Sequence, residues 1–312
     1  MQLTLKDTCT KLLQADKIVV TAHINPDGDA LGSSLGLMHF LRQNNKDVTV
    51  MIDDDLPGDF SFLPGFAEIS RPQEVKADLL VIVDACLDRI GTVGEKVKAD
   101  AVLNIDHHVS NDLKADFVYL APEKAAAAEI IYELVKASGQ KISAAMAKNL
   151  YTGIATDSGF FRFSNTTAST MLAGAELIAC GVKPNEVSEA LEQRSFALVK
   201  GFAAEIAKTE LFAEGKISGM FLSKETTDSL ETTEGLISAI RVIRGVDVAV
   251  VVREIEEGVC RVSMRSKKTD VSKIAMSFAG GGHARAAGCT IYKPLAGAKT
   301  DILAAIAAAL EE

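Results

Sequence analysis

Nowhere in this chain does an apolar run approach the roughly 18 residues that a membrane span needs. The N-terminal stretch Met1-Gln2-Leu3-Thr4-Leu5-Lys6-Asp7 also lacks the long apolar segment of a secretory leader. Basic residues are in the minority: 33 Lys and Arg against 42 Asp and Glu, a net charge of −9. That argues against broad, non-specific binding to long nucleic acid, which needs a basic footprint. It leaves room for a small anionic substrate held by metals and a few local cations. Cysteine is sparse, and Cys9, Cys86, Cys180, Cys260 and Cys289 are odd in number, widely spaced and without a CxxC pair. They are expected to be reduced, mostly buried thiols in a cytoplasmic protein. Internal repeats and low-complexity segments are missing too. What is present, 312 residues of which 48% are hydrophobic and 24% charged, suffices for a large core split over two domains.

The patterning divides in the same way. A short helix over 4–15 precedes the β-branched run Lys17-Ile18-Val19-Val20-Thr21-Ala22. Next comes His23-Ile24-Asn25-Pro26-Asp27-Gly28-Asp29-Ala30, which Pro26 and Gly28 should keep irregular. A helix from Ala30 to Gln43 carries Gly32, Ser33, Ser34 and Gly36, small enough for close packing. Strands are expected at Val48–Ile52, at Leu79–Val83 ending in Asp84, and at Ala101–Ile105 ending in Asp106. Asp53-Asp54-Asp55 reads as a solvated acidic loop, since no His or Cys is near. Continuous apolar strands separated by helices predict an α/β domain with a mostly parallel sheet covered by helices on both faces. Helices follow at 125–136, at 143–156 running into Asp157, and at 168–179 closing near Gly181, with Asn165 or Thr166 as the expected cap. Residues 184–208 read as helical. Beyond them, hairpins around Glu214-Gly215 and Glu256-Glu257-Gly258, with helices near 234–244, 271–279 and 296–311, predict a smaller α+β domain of antiparallel pairs. The expected division is 1–186 as a catalytic metal-binding domain, 187–208 as a helical linker and 209–312 as a substrate-binding domain, with the active-site cleft between the two domains.

Four segments end an apolar run in Asp or His: His23-x-x-x-Asp27-x-Asp29, Asp84, Asp106-His107-His108 and Asp157. In open parallel sheets, functional groups gather outside the carboxyl ends of strands. Mixed imidazole and carboxylate donors without thiolate suit Mn²⁺, with Co²⁺, Zn²⁺ or Mg²⁺ as substitutes, and two imidazoles make Mg²⁺ the less natural choice. Such a set can serve two ions roughly 3.5–4 Å apart. Asp106 is the member expected to stand behind the others, orienting a ligand imidazole through its ring N–H. In the C-terminal half, Gly280-Gly281-Gly282-His283 offers close backbone approach and N–H donors, and Arg265 and His283 are candidates to grip a phosphate that is not being cleaved.

These segments resemble the motifs of the DHH phosphoesterases. His23-Ile24-Asn25-Pro26-Asp27-Gly28-Asp29-Ala30, Val83-Asp84, Asp106-His107-His108 and Thr156-Asp157-Ser158-Gly159 are similar to the four N-terminal motifs. Arg265-Ser266 and Gly280-Gly281-Gly282-His283-Ala284-Arg285-Ala286-Ala287-Gly288 resemble the DHH-associated C-terminal domain. Asp157-Ser158-Gly159-Phe160-Phe161-Arg162-Phe163 and Glu234-Gly235-Leu236 are most similar to the nanoRNase/pAp phosphatase branch. The resemblance implies that His23 and Asp27 bind one Mn²⁺, that Asp29, His107 and Asp157 bind a second, and that Asp84 bridges them. It further implies that His108 faces the phosphate as donor or general acid and that Arg265, Gly281, Gly282 and His283 hold substrate. The implied activity is hydrolysis of short oligoribonucleotides to mononucleotides and of 3′-phosphoadenosine 5′-phosphate (pAp), without duplex nucleic acid or membrane as partner, in a homodimer. Hydrolysis of linear or cyclic dinucleotides such as pApA is the enzymatic alternative, and a non-catalytic nucleotide-binding module is the alternative of another class. Ala85-Cys86 departs from the Thr or Ser commoner in relatives, which touches no implied ligand. The roles of Arg162 and Arg285 are left open.

Overall fold

A computed structural model describes residues 1–233 and 235–311. Glu234, part of the Glu234-Gly235-Leu236 resemblance, lies outside them. The chain divides into two units, Met1–Gln193 and Arg194–Glu312.

The first unit runs α1 (Leu5–Gln14), β1 (Lys17–Thr21), α2 (Gly28–Gln43), β2 (Asp47–Val50), β3 (Val75–Val83), α3 (Val93–Lys96), β4 (Val97–Asp106), β5 (Phe117–Leu120), α4 (Ala127–Ala137), α5 (Ala144–Asp157), α6 (Ala168–Ala179) and α7 (Pro184–Glu192). The five strands form one sheet in the order β2-β1-β3-β4-β5, and every pairing is parallel. Val20 and Val81 are register partners in its middle, and both are buried, as the continuous apolar runs predicted. One face carries the main core, where Leu31, Leu35, Phe40, Ile130, Leu134 and Leu150 pack on the strands. The other face is covered more thinly, by Ile90 and Val93 around α3. The order reverses at β1, whose successors β2 and β3 lie on opposite sides of it. That is a topological switch point, and its crevice opens at the carboxyl ends of β1 and β3.

Helix α2 starts at Gly28, two residues earlier than expected, because Asp27 caps it by accepting the Asp29 and Ala30 N–H groups, each at 3.0 Å. Its small residues do bring it close to α5: a Cβ on Gly32 would lie 2.5 Å from the Asn149 carbonyl oxygen and 2.8 Å from the Gly153 nitrogen. The cap of α6 is Thr167, not Asn165 or Thr166. Thr167 and Thr170 form a reciprocal capping box.

The second unit runs α8 (Phe196–Ile206), β6 (Glu210–Phe212), β7 (Ile217–Leu222), α9 (Lys224–Ser229), α10 (Leu236–Arg241), β8 (Val248–Glu256), β9 (Val259–Ser266), α11 (Val271–Ser277), β10 (Gly281–His283), β11 (Ala286–Ile291) and α12 (Leu295–Glu311). Its six strands are ordered β10-β11-β9-β8-β7-β6. The sheet is mixed rather than wholly antiparallel, since β7 and β8 pair in parallel. Gly281–His283 of the glycine-rich segment form strand β10, hairpinned onto β11. The helical stretch 184–208 is two helices, α7 in the first unit and α8 in the second. No helix of the described residues is long and apolar enough to cross a membrane.

Candidate metal centre

All four predicted segments of the first unit meet. His23 and Asp27 leave β1, Asp29 lies in the first turn of α2, Asp84 leaves β3, Asp106-His107-His108 ends β4, and Asp157 is the last residue of α5. Asp84 is at the centre. Its Oδ2 lies 3.6 Å from His23 Nε2, and its Oδ1 lies 3.3 Å from His107 Nε2 and 3.5 Å from His108 Nδ1. His23 Nε2 is 3.8 Å from Asp27 Oδ2, while His107 Nε2 is 3.5 Å from Asp157 Oδ2 and 3.8 Å from Asp29 Oδ2. Three overlapping groups of ligand atoms result: His23, Asp27 and Asp84; Asp29, His107 and Asp157; and Asp84, His107 and His108.

The backbone sets these side chains up. Asp84 itself has φ of 57°, in the left-handed region that costs most side chains energy and that Asp tolerates better than most. Its N–H donates to the Ile105 carbonyl at 3.0 Å, which keeps the turn against β4. His23 Nδ1 lies 2.9 Å from the Ile24 carbonyl oxygen, and His107 Nδ1 lies 3.2 Å from that of Lys124. A carbonyl only accepts, so Nδ1 carries the hydrogen in both rings and Nε2 is aimed at carboxylates. Asp29 is held rigidly because its Oδ2 accepts the Ala127 N–H at 2.6 Å and its Oδ1 the Ala128 N–H at 2.8 Å, both at the start of α4.

Buried oxygen and nitrogen lone pairs that face one another need protons or a cation between them. Asp84 Oδ1 is buried with no hydrogen-bond partner. Where protons supply the charge, burial works against His23 but the nearby Asp84 and Asp27 carboxylates prevail, raising its pKa to about 9. His107 rises to about 10 by the same balance. Burial pushes Asp157 up, His107 opposes, and the neighbouring Asp84 and Asp27 charges add, giving about 7. Burial, Asp84 and Asp157 also raise Asp29. Asp84 moves downward against its burial, because the imidazoles of His107 and His23 lie against it and favour its charge. A dense set of carboxylates and imidazoles with an orphaned central oxygen fits divalent cations in its donor chemistry.

Asp106 does stand behind the cluster, and the imidazole it orients is that of His108 rather than that of His107. Asp106 Oδ1 lies 2.8 Å from His108 Nδ1 and accepts the N–H groups of His107 at 2.7 Å and His108 at 3.1 Å. Sequence reasoning missed its partners. Asn111 Nδ2 donates to Asp106 Oδ2 and to Asn104 Oδ1, each at 2.6 Å, and Asn104 Nδ2 donates to the Ala85 carbonyl at 2.6 Å. An asparagine pair thus ties the turn after Asp84 to the loop holding His107 and His108. Asn165, instead of capping a helix, donates from Nδ2 to the carbonyls of Ala125 and Asp157, each at 3.1 Å. The acidic run is not simply solvated either, since Asp54 Oδ2 accepts the Asn25 N–H at 2.8 Å within the first loop. Arg162 turns back on the Gly159 carbonyl at 2.7 Å.

In the second unit, Arg265 is the penultimate residue of β9, with Nη1 3.0 Å from the Met264 carbonyl oxygen, and burial together with the Arg241 charge lowers its pKa. Arg265 is the register partner of Ala286, which in turn pairs with His283, so Arg265 and His283 lie in one row across the sheet with Ala286 between them. Among the glycines, Gly282 has φ of 134° and faces the Ala286 carbonyl, and a Cβ on Gly280 would meet Gly288. Gly281 faces open space. Hairpin packing therefore accounts for Gly280 and Gly282.

A switch-point crevice lined with imidazoles and carboxylates is a set of groups that could hold divalent cations. Comparison with known proteins sharpens this. The DHH family N-terminal domain matches residues 17–154 and the DHHA1 domain matches residues 221–312. A Thermus thermophilus protein named bifunctional oligoribonuclease and PAP phosphatase NrnA is 35% identical over 278 residues, covering 88% of this chain and 84% of its own length. The crystal structure of an exopolyphosphatase-related protein from Bacteroides fragilis superposes with a TM-score of 0.87 at 26% identity, covering 98% of this chain and 95% of that one. RecJ from Thermus thermophilus, solved in complex with Mn²⁺, shares the fold at a TM-score of 0.54 and 14% identity, over 97% of this chain and 54% of its own. The chain belongs to the DHH family of phosphoesterases.

Proposed function

We propose that this protein is a Mn²⁺-dependent phosphohydrolase that cleaves short oligoribonucleotides to mononucleotides and removes the 3′-phosphate of pAp. The observation that carries the reading is the convergence on Asp84 of two ligand groups, His23 with Asp27 and His107 with Asp29 and Asp157. It stands beside 35% identity to a relative named for both activities. In this reading His23 and Asp27 hold one cation, Asp29, His107 and Asp157 hold the other, and Asp84 bridges. Divalent cations bound there supply positive charge against the phosphate oxygens and acidify a water for in-line attack. The chain's own residues do the rest. Asp106 accepts from His108 Nδ1, which leaves His108 Nε2 to hold a proton and give it to the leaving oxygen, worth about 10²–10⁴-fold. Arg265, with its planar fork, and His283 with Gly281 and Gly282 bind a phosphate that is not cleaved. A homodimer in the cytoplasm completes the proposal.

The test is a substrate panel with Mn²⁺ or Mg²⁺: RNA dimer to pentamer, pAp, pApA and pyrophosphate. Release of mononucleotides from the RNAs and of phosphate from pAp is expected. Turnover of pApA alone would replace this reading with that of a dinucleotide hydrolase, and tight pAp binding without turnover would make the protein a nucleotide-binding module.

A further inference from the structure

The sheet of the second unit is polarised in charge. The β8–β9 turn carries Glu256 and Glu257, both exposed. At the opposite end, where β8 begins and β9 finishes, Lys216, Lys267, Lys268 and Lys273 surround a recess of about 790 Å³. All four lysines are exposed, and among the described residues none forms an ion pair. The two carboxylates in the lining are already engaged. Asp247 Oδ1 accepts the N–H groups of Lys267 at 3.0 Å and Lys268 at 2.6 Å, and its Oδ2 accepts the Thr269 hydroxyl at 2.7 Å and N–H at 3.3 Å. Asp270 Oδ1 caps α11 by accepting the Ser272 N–H at 3.0 Å and the Ser272 hydroxyl at 2.5 Å. The ammonium groups therefore keep their field in a protein whose net charge is −9.

The recess is stitched to the hairpin that bears His283. Arg285 Nη1 donates to the carbonyls of Lys268 and Thr269. The Ser266 N–H donates to the Arg285 carbonyl at 3.1 Å, and the Val271 N–H to the Ala284 carbonyl at 3.0 Å. Arg285 thus acts as a brace between the glycine-rich hairpin and the lysine loop.

We propose that this recess takes phosphodiester groups of an oligoribonucleotide beyond the nucleotide held by Arg265 and His283, so that longer substrates gain a hold that pAp and a dimer lack. This rests on the oligoribonuclease reading above. The recess has the size of a ligand site. Its lining contains no aromatic side chain, so it contributes charge rather than base stacking and is indifferent to sequence.

The experiment compares wild type, Lys268→Glu/Lys273→Glu and Lys268→Arg/Lys273→Arg on an RNA pentamer, an RNA dimer and pAp. Charge reversal is expected to raise KM for the pentamer about tenfold, with dimer and pAp changed less than about twofold. The arginine pair should behave as wild type. Binding of a labelled pentamer in EDTA, followed by anisotropy, should weaken on charge reversal and show a shallower dependence on salt, by about 0.7 in log–log slope for each phosphate no longer neutralised. An unchanged pentamer KM, or an equal rise for all three substrates, overturns the proposal. Failure of wild type to turn over any substrate defeats the functional reading instead, and the anisotropy then decides the recess: equal binding by wild type and the charge-reversed protein rejects it.

Discussion

Asp84 meets three imidazoles while one of its oxygens stays buried without a donor, so its loss should be felt more than that of any other candidate ligand. Asp84→Ala is expected to abolish phosphohydrolysis and Mn²⁺ binding together, read by turnover and by calorimetric titration; a variant that retains either is incompatible with a bridging role. The two histidines give a second expectation. With pKa values of about 9 for His23 and about 10 for His107, both rings carry protons at pH 8 until a cation replaces them. Mn²⁺ binding should therefore release protons, and affinity should fall as pH is lowered. Titration at pH 8 in two buffers of different ionisation enthalpy would expose this, and identical apparent heats would contradict it. Asn111 gives the third. Asn111→Ala leaves Asn104 Oδ1 and Asp106 Oδ2 without their donor, and His108 less firmly oriented. A loss in kcat of about tenfold with unchanged Mn²⁺ affinity is expected. Asn111 was invisible in the sequence because its role comes from two side chains on β4 that only folding brings to it, whereas the candidate ligands are bunched at the ends of apolar runs.

Helices α2 and α5 hold Asp29 and Asp157, and their spacing depends on glycine. Gly32→Ala would press a methyl against the backbone of Asn149 and Gly153, which cannot swing aside, at a cost of roughly 1–3 kcal/mol. Thermal melting should show the loss, and weaker Mn²⁺ binding should accompany it as the helices part. Strand β8 opens on Asp247. Burial pushes this carboxyl up, but its four donors prevail and hold its pKa below the usual range. A lowered folded value means stabilisation that is complete above the unfolded pKa and disappears as pH falls through the folded one. Asp247→Asn should thus lose about 1 kcal/mol at pH 7, and the difference from wild type should close as pH falls through the lowered folded value, as urea melts across the acid range would reveal. Long apolar or periodic elements, from β1 to α12, were legible from pattern. Strands β5 and β10 were not; β10 is Gly281-Gly282-His283, and glycine carries no hydrophobic pattern. The parallel pairing of β7 with β8 escaped for another reason: alternation along a strand says nothing about the direction of its neighbour.

Every candidate ligand comes from the first unit, between His23 and Asp157. Removal of divalent cations by EDTA should therefore abolish activity, and Mn²⁺ should restore it. Bound Mn²⁺ should also raise the melting temperature, by about 2.7 kcal/mol of stabilisation at a hundredfold excess over Kd. Hydrogen exchange should place the new protection in the loops after β1, β3 and β4; protection confined to the second unit would rule out the assignment. The sequence by itself determined the class of chemistry. Apolar runs ending in Asp and His specify strands that deliver hard-oxygen and imidazole donors to one sheet edge, and the spacing of those runs is a local property. Only the tertiary structure decided which groups touch. Asp106 serves His108, Lys124 and the start of α4 steady His107 and Asp29, and Asn165 ties down Asp157, because a hydrogen bond depends on positions set by packing across the whole unit.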